Sequence, residues 1–191
     1  GTPTCLPAAF VTVLLERLRA LFHLSPGAEI TVEANPGTVD LEKLVSYRQS
    51  GINRISMGFQ SCRQALLDTL GRTHTFGQAL ECFRAAREAG FDNINIDLIF
   101  GIPGQTAGQW EECLQAVEKL RPEHISAYSL HLEEGTALYD RVRGGQLQQC
   151  PEDTEAEMYE LLMDFLKDRG YDHYEISNFA LPGTACRHNL R

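Results

Sequence analysis

The chain has 191 residues, 43% of them hydrophobic and 23% charged, ordinary proportions for a globular domain with chain enough to enclose a core. A formal net charge of −9 argues against a partner held through phosphate contacts, so no nucleic acid is expected. No stretch approaches the ~20 apolar residues that cross a bilayer, and no membrane span is expected. The opening Gly1-Thr2-Pro3-Thr4-Cys5 has neither the basic start of a signal peptide nor an initiator Met, which reads as a fragment of a longer protein. The six cysteines, at 5, 62, 82, 113, 150 and 186, include no pair within four residues. That excludes a CxxC-type metal or redox motif and reads as reduced, mostly buried thiols in a cytoplasmic protein.

In chain order, Phe10, Val13, Leu14, Leu18 and Leu21 form an apolar stripe at helical spacing. A strand over 29–33 follows and ends at Glu33, before the turn signal Asn35-Pro36-Gly37. The next helix stops at Gly51 and yields to a strand over 53–58 that runs on to Gln60. A short helix brings Arg72 into "LGRTH". Thr75 with Gln78 forms a capping box for a helix that closes at Gly90. The strand over 94–99 carries Asp97 and breaks at Gly-Ile-Pro-Gly. A second capping box, Thr106 with Gln109, opens a helix with the stripe Trp110, Leu114 and Val117, stopped by Pro122. A strand over 124–130 leads to Tyr128, His131 and Glu133. After the linker-like 143–155, Thr154 with Glu157 caps a helix whose buried face is Met158, Leu161, Leu162, Phe165 and Leu166. Gly170 closes it, and a last strand spans 173–177.

Strands alternating with helices through short connections imply βαβ units and a parallel sheet, with an open doubly wound sheet and a barrel both compatible. The organisation expected is a core over 1–145, and a last helix and strand over 146–191.

In such folds ligands meet the carboxyl ends of the strands. Glu33 and Gln60 fall there, Asp97 lies near such an end, and Arg72 follows Gln60 by twelve residues at the end of a short helix. A carboxylate on a buried strand is costly unless bonded or paired, and a ligand's hydroxyls or ammonium could supply the bonds at Asp97, with the glycines of Gly-Ile-Pro-Gly letting the backbone come close. A turn cap or a neighbouring arginine accounts for the same acid equally well, and Glu33 is open to the same two readings. His74, His124 and His173 read as structural or exposed. His188, in "CRHNL", is loop-like.

These segments, taken in order, resemble the radical S-adenosylmethionine proteins related to oxygen-independent coproporphyrinogen III oxidase, and among them the haem-chaperone branch. "GTPT" looks like the tail of a GGGTP motif. "EITVEANPGTVD", "GINRISMGFQS", "LGRTH", "NINIDLIFGIPGQT" and "HISAYSLHLEEGTALY" follow at family spacing, and "HYEISNFALPGTACRHNLR" looks like the approach to the branch's HNxxYW segment.

The resemblance implies a partial (β/α)₆ barrel, of α/β class, whose first strand and most of the second are missing from this chain. It implies contacts to S-adenosylmethionine from Gly1, Thr2, Glu33, Gln60, Arg72 and Asp97. It implies a [4Fe–4S] cluster held by a CxxxCxxC loop upstream of Gly1, so no metal ligand for it within the chain, and an inactive fragment when the chain is taken alone. Haem and haem-recipient proteins are implied as partners, with His188 the candidate haem ligand. The alternative within the family is oxidative decarboxylation of coproporphyrinogen III to protoporphyrinogen IX. A reading free of the resemblance is a generic α/β-barrel binder or enzyme using Glu33, Arg72 and Asp97 on another small molecule.

Overall fold

The computed structural model describes residues 3–190. A 3₁₀ turn, Pro3–Cys5, precedes α1 (Ala8–Leu21), β1 (Thr31–Ala34), α2 (Leu41–Gln49), β2 (Arg54–Gln60), α3 (Gln64–Thr69), α4 (Phe76–Glu88) and β3 (Ile94–Phe100). Then come α5 (Ala107–Glu118), β4 (His124–Ser129), α6 (Ala137–Arg143), α7 (Glu152–Lys167), β5 (Asp172–Glu175) and β6 (Asn178–Ala180). The sheet order is β1-β2-β3-β4-β6-β5. β1 to β4 pair in parallel, each crossover carrying at least one helix. β6 pairs antiparallel to β4, and β5 antiparallel to β6. The sheet is open, with β1 and β5 at its edges.

Strict alternation along the parallel strands sorts their side chains. Ile55, Met57 and Phe59 on β2, Ile94, Ile96 and Leu98 on β3, and Ile125 and Ala127 on β4 belong to one core shared with the helices. The residues between them, such as Arg54, Ser56, Asn95 and Ser126, face the opposite way, into a cavity. The runs "INIDLIF" and "ISAYSL" therefore carry one apolar and one polar face. Trp110 on α5 is fully buried and donates its indole N–H to the Met158 carbonyl of α7 at 2.9 Å, tying the two helices on the outer layer.

Helix boundaries follow their caps. Thr75 and Thr106 both make the reciprocal capping box with Gln78 and Gln109. Gly51, Gly90 and Gly170 end their helices at φ of 91°, 88° and 82°, a conformation open to glycine.

Three expectations are corrected. Thr154 caps nothing: α7 starts earlier, with Pro151 at the cap position, and Glu152, Asp153 and Glu155 in its first turn favour the positive helix end. The expected single strand over 173–177 is the hairpin β5–β6. Glu175 makes the corner by accepting from the Ser177 N–H and the Asn178 amide, and the chain returns antiparallel to β4. In α1, Leu15 is the buried residue, while Phe10, Val13, Leu14 and Leu21 are exposed. The roll of this helix is set by polar contacts with Ser50: Thr12 Oγ1 lies 2.7 Å from its hydroxyl, and Arg19 donates to its carbonyl at 2.6 Å.

Candidate functional site

A cavity of about 650 Å³ lies against the polar face of the sheet, within the size range of small-molecule sites. Glu33 from β1, Gln60 from β2, Asp97 from β3, and Arg72 from the loop after α3 all line it. Tyr128 and His131, from the end of β4 and beyond, line it too, as does His188 of the carboxyl-terminal segment. Glu33, Gln60, Arg72 and Asp97 also share a smaller recess with Gly58 at the strand ends. Gly1 and Thr2 lie outside the described residues.

β2 is shaped around this recess. The β2–β3 register shifts between Gly58 and Gln60, and Gln60 takes φ 66°. A bulge of this kind re-aims a side chain beside a site, and a non-glycine residue in the left-handed region stores strain of about 1–3 kcal/mol. A Cβ on Gly58 would lie 2.7 Å from Gln60 Nε2 and 3.0 Å from Asn35 Oδ1. The missing side chain is what lets Gln60 fold back over β2. The glycines of Gly-Ile-Pro-Gly serve differently: Gly101 and Gly104 adopt φ of 72° and 81° to turn the chain, and neither lines the cavity.

Asp97 is held by its own strand and by β2. Ser56 donates to Oδ2 at 2.8 Å, and the Asn95 amide donates to Oδ1 at 2.8 Å. Burial pushes its pKa up, against the downward pull of those two donors. The network continues inward. With the Asn95 amide nitrogen turned to Asp97, its Oδ1 accepts from His124 Nδ1 at 2.6 Å, which leaves His124 Nε2 to accept from the Tyr174 hydroxyl at 2.6 Å. Burial first, and the Arg54 charge second, pull the His124 pKa down to about 3, so the imidazole is neutral. Tyr174 in turn accepts from the Cys186 N–H and the Asn189 amide, each at 3.2 Å. A chain of hydrogen bonds thus runs from Asp97 to the loop that carries His188.

The sequence reading did not single out Arg54, Ser56, Asn95 or Tyr174. For Arg54, Ser56 and Asn95 the signal is the period-two polar residues in "RISMG" and "NINID", which lay hidden under apolar neighbours. Among the described residues no group of three or more His, Cys, Asp or Glu is placed to bind a metal ion. None of the helices there is long and apolar enough to cross a membrane.

Residues 1–117 match the radical SAM superfamily. The chain belongs to that family. Radical SAM proteins use S-adenosylmethionine and a [4Fe–4S] cluster. Heme chaperone HemW of Lactococcus lactis is 42% identical over 190 residues, covering 100% of this chain and 50% of the relative. HemW of Bacillus subtilis is 41% identical over 191 residues, with 100% and 50% coverage. The mitochondrial radical S-adenosyl methionine domain-containing protein 1 of Bos taurus is 35% identical over 189 residues, with 99% and 43% coverage. The chain spans about half the length of the curated relatives it matches. Coproporphyrinogen III oxidase (HemN) from Escherichia coli, a radical SAM enzyme of known structure, superposes with a TM-score of 0.86 at 29% identity, over 96% of this chain and 42% of that one. The open, largely parallel sheet is therefore part of a radical SAM barrel. The cavity's chemistry suits the sulfonium cofactor: a guanidinium for a carboxylate, and acids and an amide for an ammonium and ribose hydroxyls. The described residues offer no comparable set for the cluster.

Proposed function

We propose that this chain is the cofactor-binding part of a radical SAM haem chaperone. Arg72 holds the carboxylate of S-adenosylmethionine as a charge-assisted donor. Glu33 and Asp97 meet its ammonium and ribose hydroxyls, and Gln60 completes the recess. When bound, the cofactor and its cluster supply one-electron chemistry to the full-length protein. Haem is the cargo, passed to recipient proteins, and His188, which lines the cavity, is its candidate axial ligand. The observation that carries this reading is the gathering of Glu33, Gln60, Arg72 and Asp97, from separate elements, on one cavity that also reaches His188. The names and identities of the HemW relatives support the chaperone branch.

The test is haem titration of the full-length, cluster-reconstituted protein, with and without S-adenosylmethionine. Haem binding weakened by His188→Ala supports the reading. Unchanged affinity removes His188 from it, and no binding removes the chaperone. The likeness to HemN favours a second reading, coproporphyrinogen oxidation. It predicts conversion of coproporphyrinogen III to a vinyl product by the same reconstituted protein, and a fourth cysteine directly after the cluster loop of the full-length sequence.

A further inference from the structure

Arg54, the first residue of β2, is 4% exposed and lines the same cavity as Asp97 and His188. Its guanidinium makes no hydrogen bond among the described residues, and its buried Nε has no partner. None of the ion pairs there includes it. The carboxylate nearest in the network, Asp97, has both oxygens engaged by Ser56 and Asn95 and reaches Arg54 only through space. The His124 imidazole is neutral and has both nitrogens occupied. A buried guanidinium with idle donors is costly. This one sits at the amino-terminal end of its strand, six residues before Gln60, on the order of 20 Å along an extended strand. That length separates it from Gln60 and the carboxyl-terminal end of the recess, while Glu33 stands between the two ends, two residues along β1 from Thr31, the register partner of Arg54.

We propose that Arg54 forms a second anionic subsite at the base of the cavity, which takes the carboxylate of a ligand bound beneath the cofactor. The planar guanidinium fork matches two carboxylate oxygens. Thr31 and Asn189, which line the cavity with it, add neutral donors. Glu33 and Asp97 share the cavity and limit its positive potential, which favours a carboxylate group, with one charge, over a phosphate group, with up to two on the same centre. On the haem-chaperone reading, and resting on it, that carboxylate is a propionate of the tetrapyrrole.

The test uses the full-length protein and calorimetric titration with succinate, then with inorganic phosphate. Wild type binds succinate, Arg54→Met weakens it by about tenfold or more, and Arg54→Lys weakens it less. Without ligand, Arg54→Met melts no lower than wild type, because it removes a buried charge that lacks a partner. A lower melting temperature, no succinate binding by wild type, succinate binding unaffected by Arg54→Met, or tighter binding of phosphate than of succinate overturns the proposal. Haem and haem dimethyl ester separate the two readings. Esterification that weakens binding to wild type but not to Arg54→Met assigns the carboxylate to the tetrapyrrole. Succinate binding that depends on Arg54 in a protein that ignores haem upholds the subsite and removes the chaperone.

Discussion

Ser56 on β2 donates its hydroxyl to Asp97 Oδ2 on β3 across 2.8 Å. The bond holds the acid ionisable inside the cavity while burial works against its charge. The folded pKa of Asp97 therefore stands above its ordinary 3.8. Its contribution to stability is complete below that ordinary value and is lost as pH rises through the folded one. At neutral pH without ligand, Asp97→Asn is expected to raise Tm by about 2–4 °C for each kcal/mol relieved, with the gain vanishing as pH falls towards 4. Thermal melts of both proteins across that range check this. A variant that melts lower at neutral pH would contradict the idea of a charge kept for a ligand.

His124 works in the opposite sense. Its folded pKa, about 3, lies below its ordinary 6.5, so its contribution is complete above 6.5 and drains away as pH falls towards 3. The slope reaches about 1.4 kcal/mol per pH unit. Denaturant unfolding between pH 7.5 and 4 should show this loss in wild type and a flatter profile in His124→Gln. Identical slopes would mean that the imidazole is not the group responsible.

Gly58 gives a steric prediction. The Cβ of Gly58→Ala would press on Gln60 Nε2 and Asn35 Oδ1, so the variant is expected to lose about 1–3 kcal/mol of stability. The Gln60 amide must move with it. On the proposed function, S-adenosylmethionine binding by the full-length protein falls more steeply than stability does, which calorimetry and urea unfolding measure together. Binding that stays intact would show that the bulge is not part of the cofactor site.

Tyr174→Phe removes the hydroxyl that serves His124, the Cys186 N–H and the Asn189 amide. Stranding the buried His124 Nε2 costs about 1–3 kcal/mol. Amide exchange should quicken selectively around 186–189, the segment that carries His188. Uniform quickening over the whole chain would indicate general destabilisation instead.

Much of this site was legible from the residues. Glu33, Gln60 and Asp97, at strand ends, and Arg72, after a short helix, were expected on one rim, and all four line one cavity. His124, read as structural or exposed, is buried with both ring nitrogens hydrogen-bonded. What escaped was Arg54, since a charged residue at the start of a strand looks like any surface arginine until its burial is known. The α1 stripe misled for a related reason. Apolar spacing marks a face that could be buried, but the contacts that Thr12 and Arg19 make with Ser50, far away in sequence, choose the face that is.

The order of elements, their caps and the polar residues at the strand ends were determined by the sequence itself, because propensity, capping and alternation act over a few residues. The closing of 172–180 into a hairpin against β4, the Asp97–Asn95–His124–Tyr174 chain and the unpartnered Arg54 were decided only by the tertiary structure. Each depends on which distant groups meet, and on how much water is excluded where they do.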